Sequence, residues 1–119
     1  TKAGRFDSLL NSFLDETPMA DSREQIKLGN VLYEKDEKTE QWKAYFKMEF
    51  LINFLEEKKK FKGMTTTEMA AHIRLKRRGG DHRLSINNKT EFVWMVPHER
   101  SHETSFSVPD MDDGSEALL

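Results

Sequence analysis

Residues 41–61 read QWKAYFKMEFLINFLEEKKKF, and the folding of this stretch decides what the rest of the chain can be. At about 100° per residue, Ala44, Tyr45, Met48, Leu51, Ile52 and Leu55 fall on one face. Trp42, Phe46, Phe50 and Phe54 follow a second stripe at four-residue steps. The pattern predicts one long helix, apolar over enough of its circumference to be central to its domain. The aromatic stripe reads as packed core in preference to a base-stacking platform, because Phe at helical spacing beside Leu and Ile is what an interior requires. Lys58, Lys59, Lys60 and Lys62 then stand where a helix C-terminus favours cations, and Gly63 suits a left-handed cap.

Upstream, Phe6, Leu9, Leu10, Phe13 and Leu14 recur at helical spacing. They predict a short amphipathic helix over residues 6–15 that stops before Thr17-Pro18 and lies on one stripe of the long helix. Residues 21–39 fit two readings. Asp21 and Ser22 can cap a helix, but Ile26, Leu28, Gly29-Asn30, Val31 and Tyr33 also fit a hairpin with a two-residue turn, and the extended pair is preferred. Residues 34–40 are almost wholly charged and read as a solvated connection or the first turn of the next helix. Downstream, Thr65 and Glu68 have capping-box spacing ahead of Met69, Ala70 and Ile73. A helix is predicted from about residue 66 to residue 78, closed by Gly79-Gly80. Two strands follow, residues 83–86 and 90–96, around a turn at residues 87–89, with Phe92, Trp94 and Val96 alternating on one side and Pro97 ending the second strand.

The chain has 119 residues, enough for one core. It has no Cys, which excludes a disulfide framework, a thiolate nucleophile and a Cys-ligated metal, and suits a nuclear or cytoplasmic setting over secretion. No apolar run reaches the length of a membrane span, and no secretory signal opens the chain. The opening Thr1 points to processing or to a segment of something longer. The net charge of −2 conceals three zones: residues 1–57 carry −4, residues 58–89 carry +8 and residues 90–119 carry −6. A local excess of cations costs repulsion that an anionic partner such as a phosphate backbone relieves; the alternative is a solvated basic face answered in space by the acidic flanks.

A long helix, a tight turn, a small capped helix and a hairpin ending in an aromatic strand, carried by TTTEMAAHIRLKRRGGDHRLSINNKTEFVWMVP (residues 65–97), resemble a winged helix-turn-helix domain. The class expected is therefore mainly α with a small β-hairpin, a winged helix-turn-helix with an extra N-terminal helix and a mobile C-terminal tail. Residues 1–40 hold the helix and the ambiguous segment, 41–97 the winged-helix core and 98–119 an acidic tail. The resemblance implies a nucleic-acid-binding, non-enzymatic module of a replication, repair or transcription factor, with duplex DNA favoured. The basic residues of the second helix lie at its C-terminal end, not the end that usually enters a groove, so backbone contact is expected over base readout. The candidate contacts are Lys62, Arg74, Lys76, Arg77, Arg78, His82, Arg83 and Lys89. Arg78 and Arg83 are the best candidates for a bidentate guanine contact. Five or six phosphate contacts predict a log-affinity versus log-salt slope of about −5.

The alternative is a module that docks onto a protein assembly through the aromatic helix face or the tail, where Phe106, Val108, Met111, Leu118 and Leu119 form a candidate linear motif. The tail's acidity also suits masking of the basic block in cis. His98-Glu99-Arg100-Ser101-His102 matches the zinc-protease string, a remote reading because nothing apolar between Pro97 and Phe106 docks it as a buried helix. His72 reads as a partly buried or surface histidine with no nucleophile beside it. No nucleotide-binding fingerprint, catalytic constellation, cofactor site or metal site is indicated.

Overall fold

The computed structural model describes residues 1–100. Helix α1 (Lys2–Glu16) leads through a 3-10 helix (Arg23–Leu28) to strands β1 (Leu32–Lys35) and β2 (Trp42–Phe46). Helix α2 (Met48–Asn53) continues in a π-helical turn (Phe54–Lys58), then come α3 (Thr66–Lys76) and the hairpin β3 (Gly80–Ile86) and β4 (Lys89–Pro97). The strands form one four-stranded antiparallel sheet in the order β1-β2-β4-β3. The class is mixed α/β, which corrects the expectation of a mainly α chain with a small hairpin.

The correction lies in residues 41–61, which divide into β2 and α2 instead of forming one helix. A helix apolar on most of its circumference needs cover on every side, whereas β2 is an inner strand of a sheet that is packed on both faces. Ala44 and Phe46 face the helices and Tyr45 faces the other way, and all three are buried. Trp42 and Phe46 are four apart, a spacing that serves a period of two as well as one of 3.6, so the aromatic stripe did not discriminate between strand and helix.

Helices α1, α2 and α3 lie on one face of the sheet. Phe13 of α1 meets Phe46 and Phe54 edge-on, each with ring centroids 5.4 Å apart, so α1 does lie on the aromatic stripe. Tyr33 of β1 donates its hydroxyl to the Leu14 carbonyl at 2.6 Å, and burial pushes that phenol's pKa up. The opposite face is covered by the segment containing Ala20 and Ile26, packed on Leu32, Tyr45 and Val93. There the Glu91 carboxylate takes Lys47 at 3.0 Å and Lys27 at 3.4 Å.

Residues 26–33 are not a hairpin. Residues 23–28 are a 3-10 helix that ends at Gly29 with φ 107°, and β1 pairs with β2 across residues 36–41. The capping box at Thr65 and Glu68 is present, with bonds of 2.8 and 3.1 Å. α3 ends two residues earlier than expected, with Arg78 in the left-handed region at φ 58°. Gly79 is required for close packing, since a Cβ there would meet the Met95 carbonyl oxygen at 2.2 Å. Among the described residues no helix is long and apolar enough to cross a membrane.

Candidate nucleic-acid interface

The hairpin turn sets the site. Asn87 and Asn88 have φ of 54° and 65°, the two left-handed residues of a type I′ turn, which asparagine tolerates. A two-residue turn places Arg83 opposite Phe92 and Asp81 opposite Trp94. The three-residue turn expected from the sequence would have put Leu84 opposite Phe92, and that one-residue slip turns every β3 side chain to the wrong face.

In this register two cation–aromatic pairs stand on the sheet face that carries the helices. The Arg83 guanidinium lies 5.0 Å from the Phe92 ring centre. Arg74 reaches from α3 to lie 5.0 Å from the Trp94 ring centre and 3.5 Å from the Asp81 carboxylate. Val96 and Trp94 on this strand pack into the core, but Phe92, further toward the turn, is 58% exposed. A ring so placed adds little to the core. It makes a surface strip in which guanidinium and aromatic groups alternate, with Lys76 and Arg78 exposed at the adjacent end of α3.

The other predicted contacts separate. Arg77 turns inward to the Asp7 carboxylate at 3.1 Å, where His72 also bonds at 2.8 Å, and only 15% of the Arg77 side chain is exposed. Burial pulls the Asp7 carboxyl up, but the bonds from His72 and Arg77 outweigh it and hold the group below the usual carboxylate range. Arg77 is thus a clasp between α1 and α3. His82 and Lys89 project from the opposite face of the hairpin, His82 edge-on to Tyr45 at 5.7 Å. Lys62 is exposed in the connection between α2 and α3. The ten cations of residues 58–89 therefore do not form one ridge. Arg74 and Arg83 meet on the strip, with Phe92 and Trp94 as partners that the sequence reading had left in the core strand. The signal that finds them is the Asn-Asn pair, read as a two-residue turn.

Elsewhere a groove of about 640 Å³ is lined by Phe13, Pro18, Leu28, Phe50 and Phe54 together with Glu16, Glu57 and Lys58. Leu28 is 76% exposed there.

Of the zinc-protease string, His98 bonds Asp15 at 2.8 Å and Arg100 donates to the Thr17 carbonyl at 2.7 Å, which ties residues 98–100 to the end of α1. His102, the tail motif at Phe106, Val108, Met111, Leu118 and Leu119, and the masking segment lie outside the described residues. Among the described residues no three His, Asp or Glu side chains are grouped to hold a metal ion.

No protein family, no curated protein and no solved structure matches this chain.

Proposed function

We propose that this chain is a non-enzymatic nucleic-acid-binding module that works through the α3 end and the β3–β4 hairpin. The observation that carries the reading is the pair of arginines held over aromatic rings on one exposed strip, Arg83 over Phe92 and Arg74 over Trp94. A guanidinium so held keeps its charge, has fewer conformations to lose on binding, and offers donors to phosphate or a flat face to a base.

With Arg77 engaged by Asp7, and His82 and Lys89 on the far face, the strip offers about four cations: Arg74, Lys76, Arg78 and Arg83. The slope of log affinity against log salt becomes about −3 to −4, shallower than the sequence block suggested. Fluorescence anisotropy of a labelled 20-base-pair duplex and a labelled 20-nucleotide single strand at two salt concentrations tests this, alongside Arg74→Glu/Arg83→Glu. Binding at low salt that the double variant abolishes supports the reading, and no binding by the wild-type chain at low salt ends it.

The groove at Phe50 and Leu28 favours a second reading, a docking module for a protein partner. Partner capture that survives the arginine reversal and fails in Leu28→Asp selects it.

A further inference from the structure

We infer that the strip accepts unpaired nucleotides, so that its preferred ligand is single-stranded nucleic acid; this rests on the nucleic-acid reading above. Three observations converge. First, the charge at the rungs is partly cancelled. Arg74 is paired with Asp81 at 3.5 Å, so a phosphate placed there would stand beside a carboxylate. Second, it is rich in planar surface. Phe92 is 58% exposed on a sheet face whose neighbouring positions, Trp94 and Val96, are packed by the helices, and a solvated phenylalanine ring does nothing for a phosphate. Third, the two rungs are two residues apart along β4, about 6.8 Å, so the two cation–aromatic pairs stand side by side on one strip.

These features bear on pairing. In a duplex the base faces are hidden by their neighbours, and a protein strip meets phosphates and groove edges. In an unpaired strand each base face is available, and aromatic rings or guanidinium planes stack on it with little regard to sequence. Two planar pairs side by side can each take one base of an unstacked strand. Arg83 and Phe92 hold one base, and Arg74 with Trp94 the next. Asp81 sets Arg74 in place and keeps the backbone to the outer side of the strip.

The test uses the full chain and three labelled probes, a 20-nucleotide oligothymidine, the matching oligouridine and a blunt 20-base-pair duplex. The wild-type chain is expected to bind a single-stranded probe more tightly than the duplex. Phe92→Ala and Phe92→Leu should each weaken single-strand binding about tenfold, the loss of one base stack, and weaken duplex binding, through the freed Arg83, by a smaller factor. Arg83→Lys, which keeps the charge and loses the plane, should narrow the preference in the same way. The two single strands distinguish DNA from RNA. Phe92 is exposed, so these variants keep the fold, and their circular dichroism should match the wild type. Duplex bound as tightly as single strand, or single-strand binding untouched by Phe92→Leu, overturns the inference and leaves the nucleic-acid reading standing. No probe bound at low salt overturns both.

Discussion

Phe13→Ala tests the packing that positions the strip. The ring is 2% exposed and touches the sheet through Phe46 and the α2 end through Phe54, both edge-on at 5.4 Å. Removing it deletes one of the largest buried side chains and leaves a cavity that α1 can fill only by shifting against the sheet, which Leu10 and Leu14, also fully buried, resist. A buried Phe→Ala change costs about 3–5 kcal/mol, and edge-to-face pairs contribute about 0.5–1.5 kcal/mol beyond burial. Against a total stability of about 5–15 kcal/mol this is a large fraction. In urea, with a slope of about 2 kcal/mol/M, the midpoint should fall by about 2 M with the slope unchanged. A double-mutant cycle with Phe46→Ala should return a coupling of about 0.5–1.5 kcal/mol. Leu28→Ala, at a position 76% exposed, serves as the control and should move the midpoint by about 0.5 kcal/mol or less. A Phe13→Ala loss no greater than the control's would refute the placement of α1 across β2 and α2.

Further expectations follow from individual contacts. Gly79→Ala brings a Cβ to 2.2 Å from the Met95 carbonyl oxygen, a backbone atom that cannot swing aside, so its melting temperature should fall well below that of Gly63→Ala. Gly63 has open space around it and a φ of 95°, and Ala there should cost about 1–2 kcal/mol from backbone strain alone. Thr65→Ala removes the side-chain acceptor of the capping box and should destabilise by about 1 kcal/mol, with Thr65→Ser restoring most of it in the same thermal melts. The Asp7 carboxyl is held below its unfolded value by His72 and Arg77. Its contribution is therefore complete above the unfolded pKa and disappears as pH falls through the folded one. Asp7→Asn should lower the urea midpoint at pH 7 and match the wild type at about pH 2, and equal differences at both pH values would contradict the clasp.

Local signals with a single physical solution were legible before folding. α1 was visible in Phe6, Leu10 and Phe13, the α3 start in Thr65 and Glu68, and the alternation of β4 in Phe92, Trp94 and Val96. Residues 41–47 were not, because Ala44, Tyr45 and Phe46 satisfy a helix stripe as well as a strand buried on both faces, and only the arrival of β1 and β4 on either side decides between them. β1 itself has four residues, and the turn that joins it to β2, where Asp36 accepts from the Lys38 and Thr39 amides, lies in the charged stretch that reads as a connection. Nor could the basic block be sorted from its sequence. Arg77 and Arg78 are neighbours in the chain, yet one closes on Asp7 and the other is exposed, because Arg77 caps α3 and the backbone turns left-handed at Arg78. The strip depended on one further decision, a turn of two residues instead of three, which carried Arg83 across to Phe92.

A nitrogen-15 chemical-shift titration of the full chain with oligothymidine, including tryptophan side-chain and arginine Nε signals, locates the ligand residue by residue. Shifts should be confined to residues 74–78, 81–83 and 92–94, with Arg83 Nε and the Trp94 indole among the largest and residues 28–30 and 50–54 unmoved. Shifts centred on the Phe50 groove, or spread evenly over every surface lysine, would contradict binding at the strip.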